Sequence, residues 1–235
     1  MGKPRVLIVG GYGYLGRLLT LHLKPNFEVV VSTRTLSVNN TNKKTEVRLD
    51  LTDRASVDAA LAESGPFDVV INTAAISQPS LCERDVASTL AVNVPAHLVS
   101  ALEGSHTLLI HLSSDQVFDG STSFSTESTP TNPMNAYGRS KLAAEELIKS
   151  SACNHVILRS SIIVGPDVDG VTRPLFTQFI RHQLKEGNKT EYFHDEWRCP
   201  VFYKDIAHVI TALIHERAAH PEAIQREIYN MVRIH

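Results

Sequence analysis

Five residues near the middle of the chain could do acid–base chemistry. Tyr137-Gly138-Arg139-Ser140-Lys141 sets a phenol and an ammonium four positions apart. On a helix that spacing puts both on one face, one turn apart. A cation beside a phenol favours the phenolate and lowers the tyrosine pKa. Taking a tyrosine from about 10 to about 7 requires about 4 kcal/mol of differential stabilisation, and would make Tyr137 a general acid near neutral pH. Taken alone, the pair reads equally well as a solvated helix face. Upstream, His111-Leu112-Ser113-Ser114-Asp115 closes an apolar run. A hydroxyl just past a strand end would face the same crevice as Tyr137, and that placement gives the pair its weight.

A second group of residues could hold a dinucleotide. Gly10-Gly11-Tyr12-Gly13-Tyr14-Leu15-Gly16 directly follows the apolar run Arg5-Val6-Leu7-Ile8-Val9. Glycines at every third position permit a tight turn and let the backbone approach a pyrophosphate. The helix that opens there offers unpaired N–H groups and a partial positive charge. The next strand ends Val31-Ser32-Thr33-Arg34-Thr35, without an acid to hold an adenosine ribose. Arg34 could pair with a 2′-phosphate, which favours NADP(H) over NAD; a solvated surface arginine is the alternative. Asp50 follows a third short strand and would meet the adenine, or else cap the helix starting near Asp53.

The elements that must position these groups alternate in type. Short apolar strands at residues 5–9, 27–31, 47–49, 67–71, 107–112 and 156–158 are separated by helical runs. Those runs are Leu15 to Leu23, Ala55 to Ala62, Asp85 to Leu102 with Pro95 at a turn or kink, and Pro133 to Lys149. The polar stretch Ser37 to Thr45 reads as a loop. This rhythm predicts an α/β fold, a doubly wound parallel (Rossmann) sheet over residues 1–165. After Gly165 the rhythm changes to two helices, at Leu175–Leu184 and Lys204–Arg217, and a strand at Ile228–Met231. Residues 166–235 therefore read as a partial substrate-binding lobe, interleaved with the Rossmann domain.

Composition narrows the field. The 235 residues are 43% hydrophobic and 20% charged, with a formal net charge of −2, an ordinary globular balance without the basic footprint of a nucleic-acid binder. Three widely spaced cysteines with no CxxC, and no HExxH-like histidine spacing, argue for a reducing compartment and against a metal site. No run approaches the roughly 18 apolar residues of a membrane span, and no signal-peptide pattern opens the chain. The expectation is a cytoplasmic protein that engages neither membrane nor nucleic acid.

With these residues in place, the chain resembles the extended short-chain dehydrogenase/reductases. The shared features are Gly10-x-x-Gly13-x-x-Gly16, Asp50-Leu51, Asn72-Thr73-Ala74-Ala75, Asn93, Ser113-Ser114 and Tyr137-x-x-x-Lys141. Ser113-Ser114-Asp115-Gln116-Val117-Phe118-Asp119-Gly120 and Arg198-Cys199-Pro200-Val201-Phe202-Tyr203-Lys204-Asp205-Ile206 are similar to the dTDP-4-dehydrorhamnose reductase branch. That branch includes the regulatory β subunit of methionine adenosyltransferase.

The resemblance implies that Tyr137 donates or accepts the proton. It also implies that Lys141 lowers the Tyr137 pKa and holds the nicotinamide ribose, and that Ser114 bonds the substrate carbonyl. Gly10, Gly13, Tyr14, Leu15 and Gly16 would cradle the pyrophosphate, Asp50 and Leu51 bracket the adenine, and Ala74 and Ala75 line the cofactor floor. Arg159 would approach the nicotinamide end, and Asn93 would bridge its helix to the sheet beside the cofactor. Gln78, Asp115, Trp197 and Arg198 are the substrate-side candidates, Arg198 as a grip for a diphosphate or carboxylate. For Trp197 and Arg198 the alternative is an aromatic anchor beside a salt-bridged arginine.

Relatives of this branch continue past the strand corresponding to Ile228–Met231, so the chain reads as truncated or alternatively ended. Two functions follow as expectations: an NADPH-dependent reductase of a nucleotide-sugar keto group, or an NADP-binding regulatory subunit that grips a methionine adenosyltransferase. A sugar-nucleotide epimerase or dehydratase is a weaker third. The resemblance also implies a homodimer through the long helices.

Overall fold

Short runs rich in β-branched residues become the strands of a parallel sheet, and the longer amphipathic runs become the helices that cover it. The computed structural model describes residues 2–35, 45–171 and 175–231. In chain order the elements are β1 (Arg5–Val9), α1 (Tyr14–Leu23), β2 (Glu28–Thr33), β3 (Glu46–Arg48), α2 (Arg54–Ser64), β4 (Val69–Asn72), α3 (Pro79–Arg84), α4 (Val86–Asn93), α5 (Ala96–Leu102) and β5 (Leu108–Ser114). They continue with a 3-10 turn (Asp115–Val117), α6 (Ala136–Ser150), β6 (Asn154–Ser160), β7 (Ile163–Val164), α7 (Phe176–Glu186), β8 (Val201–Phe202), α8 (Tyr203–Ala219) and β9 (Arg226–Met231).

Seven strands form one parallel sheet in the order β3-β2-β1-β4-β5-β6-β9, and β7 and β8 form a separate parallel pair. This is the doubly wound Rossmann arrangement. The strand order reverses between β1 and β4, which opens a crevice at their carboxyl ends, where such sheets bind ligands. Alternation along each strand sorts the core into two layers. Val6 and Ile8 of β1 pack with Leu15, Leu19 and Leu23 of α1 and Ile206, Ile210 and Ile214 of α8. Leu7 and Val9 pack with Val57 of α2, Leu98 and Leu102 of α5 and Ile148 of α6.

The last part of the chain divides between two environments. α8 covers the same sheet face as α1, and β9 pairs with β6 along its whole length. Residues 201–231 thus contribute to the Rossmann layers. The segment between β7 and β8 differs: α7 has no buried residue, and residues 184–200 are exposed throughout.

The helical run expected over Asp85–Leu102, with Pro95 at a turn or kink, is two helices that part at that proline. Pro95 has no N–H to donate and disfavours helical backbone before it, so Val94 is extended (φ −95°, ψ 102°) and α5 starts afresh. The short α3 was not foreseen; Pro79 opens it. Of the stretch Ser37 to Thr45, all but Thr45 lies outside the described residues, as does the C-terminal run Val232–His235. Among the described residues, no helix is long and apolar enough to cross a membrane.

The contrast between α8 and α7 is measurable. Ile210→Ala should lower unfolding free energy by about 2–4 kcal/mol, as a buried truncation does. Leu184→Ala, on a side chain 77% exposed, should stay within about 0.5 kcal/mol. Urea unfolding of the two variants checks both.

Candidate active site

The crevice is built first from the glycine turn. Gly10 has φ +81°, a backbone region that side chains disfavour, and a Cβ there would lie 2.8 Å from the Ala74 nitrogen. A Cβ on Gly16 would sit 2.3 Å from the Gly10 carbonyl oxygen, so α1 approaches the turn as closely as it does only because position 16 is glycine. Gly13 is the N-cap of α1; it supplies no side-chain cap, and the first turn carries no acid. The N–H groups of that turn are therefore open to an anion, and the dipole favours one. A pyrophosphate fits this end of α1. Tyr14 closes the turn from the other side by donating its hydroxyl to the Pro166 carbonyl at 3.1 Å.

Past β3, where the sequence sets the expected adenine contact, Asp50 accepts from the backbone N–H (2.9 Å) and hydroxyl (2.7 Å) of Thr52, contacts that hold its carboxyl below the usual range. Asp53, not Asp50, caps α2 by accepting from the Ala55 N–H. Leu51 is buried beneath them, and Arg34 is exposed just past β2. A cleft of about 340 Å³ lies between Leu51 and Thr52 on one side and Leu90, Val94 and His97 on the other; none of Ser114, Tyr137 and Lys141 lines it.

The acid–base residues come together on α6. Asn135 caps the helix by accepting from the Gly138 N–H at 2.8 Å, and its amide donates to Gln116 Oε1. Position 138 must be glycine, since a Cβ there would stand 2.1 Å from the Gln116 carbonyl oxygen. That close approach sets the first turn of α6 against the 3-10 turn carrying Asp115 and Gln116. Glu83 of α3 holds the same turn, accepting from the Ala136 N–H at 2.6 Å and pairing with Arg139 at 3.4 Å. Ser114, at the end of β5, lies close to Tyr137 and accepts from the Gln116 N–H at 3.2 Å.

The electrostatics differ from the expectation for Tyr137. Burial pushes its phenol up to about 12, with the Ser114 hydroxyl pulling back and the nearby Asp115 and Cys82 adding to the rise. Lys141 does not lower it. Its ammonium lies instead against a buried imidazole, with Nζ 3.2 Å from His111 Nε2, and burial draws Lys141 itself down to about 8, opposed by Glu145.

Strand alternation explains these neighbours. Leu109, His111 and Ser113 of β5 face α6, as do Asn72 of β4 and Arg159 of β6 at the same sheet edge. On α6, Tyr137, Lys141 and Glu145 recur every four residues and meet that row. Arg159 forms a two-pronged pair with Glu145 (3.0 and 2.7 Å), both nearly fully buried, and its guanidinium stacks over Phe118. Ser113 donates its hydroxyl to the same carboxylate. Arg159 is thus committed to bracing α6 on the sheet rather than to the nicotinamide end.

The remaining candidates separate. Asn93 is buried and bridges three segments, accepting from the Ile76 N–H (2.7 Å) and donating to the Ile76 carbonyl (3.0 Å) and the Ser140 hydroxyl (2.8 Å). Ala74 and Ala75 follow β4, with the Ala74 N–H held by Asn72 Oδ1. Arg198 reaches from the exposed segment to Asp115 (3.3 Å) and also pairs with Glu196 (2.6 Å). Trp197, 90% exposed, is not an anchor, and Gln78 is exposed at the start of α3. Sequence reasoning missed Gly138, Glu145 and the role of His111, and it set Glu83 with Gln78 as a candidate for the pocket rim rather than as the brace of α6 that it is. The i, i+4, i+8 stripe of α6 and the polar ends of three adjacent buried strands were the signals available.

Lys141 carries a stability cost with a defined pH window. Its pKa falls from 10.5 unfolded to about 8 folded, so the unfolded chain binds more protons between those values and stability rises with pH across them. Below about 8 the full penalty applies, roughly 3 kcal/mol. Lys141→Met removes that buried charge and should therefore raise stability by about 3 kcal/mol at pH 7. The gain should shrink towards pH 10.5. Urea unfolding at both pH values measures it; destabilisation at pH 7 would contradict the burial argument.

Comparison with known proteins adds a lineage to this geometry. The chain is 31% identical over 221 residues to methionine adenosyltransferase 2 subunit beta of Xenopus tropicalis, covering 92% of this chain and 64% of that protein. It is 26% identical over 224 residues to the spore coat polysaccharide biosynthesis protein SpsK of Bacillus subtilis, covering 94% and 71%. The chain thus spans less than two thirds of the Xenopus relative's length. A solved dTDP-4-dehydrorhamnose reductase ortholog from Clostridium acetobutylicum superposes with a TM-score of 0.79 at 26% identity, over 98% of this chain and 75% of that one. The pattern described as RmlD substrate binding domain matches residues 4–233, every element described above, and the chain belongs to that family.

Proposed function

We propose that the chain is an NADPH-dependent reductase of a keto group on a nucleotide-linked deoxysugar. One observation carries this reading: Ser114 ends β5 and Tyr137 and Lys141 stand on the side of α6 that meets that strand, at the same carboxyl side of the parallel sheet as the uncapped start of α1. When bound there, the nicotinamide dinucleotide supplies a hydride to the carbonyl carbon. Gly10, Gly13, Leu15 and Gly16 would hold its pyrophosphate, Asp50 and Leu51 its adenine, and Arg34 its 2′-phosphate.

The chain's own groups supply the rest. Ser114 donates a hydrogen bond to the carbonyl oxygen and stabilises negative charge as it develops. Tyr137, with its pKa near 12, stays a phenol at neutral pH and gives its proton to that oxygen. Lys141, one turn along α6 from Tyr137, would hold the nicotinamide ribose. Arg198, which reaches Asp115 from the exposed segment, would bind an anionic group of the substrate.

A second reading is supported by the similarity to the methionine adenosyltransferase 2 subunit beta: an NADP-binding regulatory subunit of that synthetase. The exposed Phe176, Phe179 and Leu184 of α7 would offer it contact surface.

NADPH oxidation with dTDP-4-dehydrorhamnose, measured beside Tyr137→Phe, separates the two. The reductase reading expects turnover that falls by about 10²–10⁴ in the variant while NADPH binding persists. No turnover, with intact NADPH binding and co-elution with a methionine adenosyltransferase at micromolar concentration, would replace it with the regulatory reading.

A further inference from the structure

His111 is fully buried in the middle of the sheet, and its two ring nitrogens meet two different partners. Nδ1 lies 3.3 Å from Asn72 Nδ2, and Nε2 lies 3.2 Å from Lys141 Nζ. The orientation of the Asn72 amide is fixed from outside the pair: its Oδ1 accepts from the Ala74 N–H at 3.1 Å, so its NH₂ faces the imidazole. An NH₂ can only donate, so His111 Nδ1 must present a lone pair. Burial drives the imidazole well below its usual pKa, so the ring is neutral, and its one proton sits on Nε2. That N–H points at Lys141.

An ammonium has three donors and no acceptor, whereas a neutral amine has a lone pair. Facing an N–H, Lys141 satisfies the contact as an amine and clashes donor to donor as an ammonium. The other tautomer would suit an ammonium but would set Nδ1–H against the Asn72 NH₂. Rotating that amide would move the conflict to the Ala74 N–H. The chain Ala74–Asn72–His111–Lys141 therefore runs donor to acceptor in one direction only.

We propose that His111 is a positioning residue for Lys141: held as its Nε2–H tautomer by Asn72, it offers the lysine a donor, favours the amine over the ammonium, and so sets the pH range over which Lys141 carries charge. The other ionisable groups around Lys141 are accounted for. On its own helix, Glu145 favours the charged form but is shared with Arg159 of β6 and Ser113 of β5, and Tyr137 is a phenol. Asp115 of the 3-10 turn and Cys82 of α3 act on Tyr137. α4 contributes Asn93, a neutral group, bonded to Ser140. The inference rests on the reading of Lys141 as the partner of Tyr137 in reduction, and its test requires neither cofactor nor turnover.

The test uses the full chain labelled with [¹⁵N]histidine and, separately, [¹³Cε]lysine. Long-range ¹H–¹⁵N correlation, with His111 identified by its loss in His111→Gln, should show a neutral Nε2–H ring at pH 7. An Nδ1–H ring or an imidazolium would overturn the proposal. The Lys141 carbon, identified by its loss in Lys141→Met, is then titrated. His111→Gln can turn a carbonyl oxygen towards the ammonium and should move the Lys141 midpoint up by about one pH unit. Asn72→Leu releases the other tautomer and should move it in the same direction. If His111→Gln does not fold, Asn72→Leu decides alone. A midpoint unchanged in a folded variant would reduce His111 to packing. Failure of turnover in the wild type would bear on the reductase reading and leave this result standing.

Discussion

The carboxyl edge of the sheet face beneath α6 is polar, and the site depends on how that polarity is satisfied. Asn72, His111, Ser113 and Arg159 stand towards the ends of three adjacent buried strands. Unpaired, such groups would each cost on the order of 1–3 kcal/mol, and more for the charged one. Lys141 and Glu145 answer them from α6. The Glu145–Arg159 pair and the Ser113 hydroxyl tie the helix to β5 and β6, while Asn93–Ser140 and Glu83–Ala136 tie it to α4 and α3. Tyr137, one turn further towards the start of α6, is delivered to Ser114 by contacts in which it takes no part.

That arrangement explains why the fold was largely legible in the sequence and the site only partly so. The strands are short apolar runs, and the glycine turn after β1 has one backbone geometry that suits it. Gly10 and Gly16 stand where any Cβ would collide, so spacing alone located them. The break between α4 and α5 is legible as well, because Pro95 sets a turn or kink within that helical run. Arg159 was placed by resemblance at the cofactor, and a buried carboxylate two turns along α6 claims it instead.

The Tyr137–Lys141 spacing promised a lowered phenol, and the structure gives a raised one. Spacing reports only that two side chains share a helix face. It is silent on what the opposite strand offers them. His111 occupies the lysine, and burial then acts on both residues: the phenol rises because its anion is disfavoured, and the ammonium falls because its cation is. A tyrosine that stays protonated suits a proton donor in reduction. The segment proposed to meet the substrate is less enclosed: Arg198 reaches in to Asp115, but α7 has no buried residue and residues 184–200 are exposed.

The most direct measurement of the reductive reading follows the hydrogen itself. NADPH carrying deuterium on the transferred face of the nicotinamide C4 is incubated with the chain and dTDP-4-dehydrorhamnose, and the sugar product is weighed by mass spectrometry. The account predicts one deuterium bound to carbon at sugar position 4, in amount equal to the NADPH consumed. NADPH bound stoichiometrically, with no deuterium in the sugar, would contradict it.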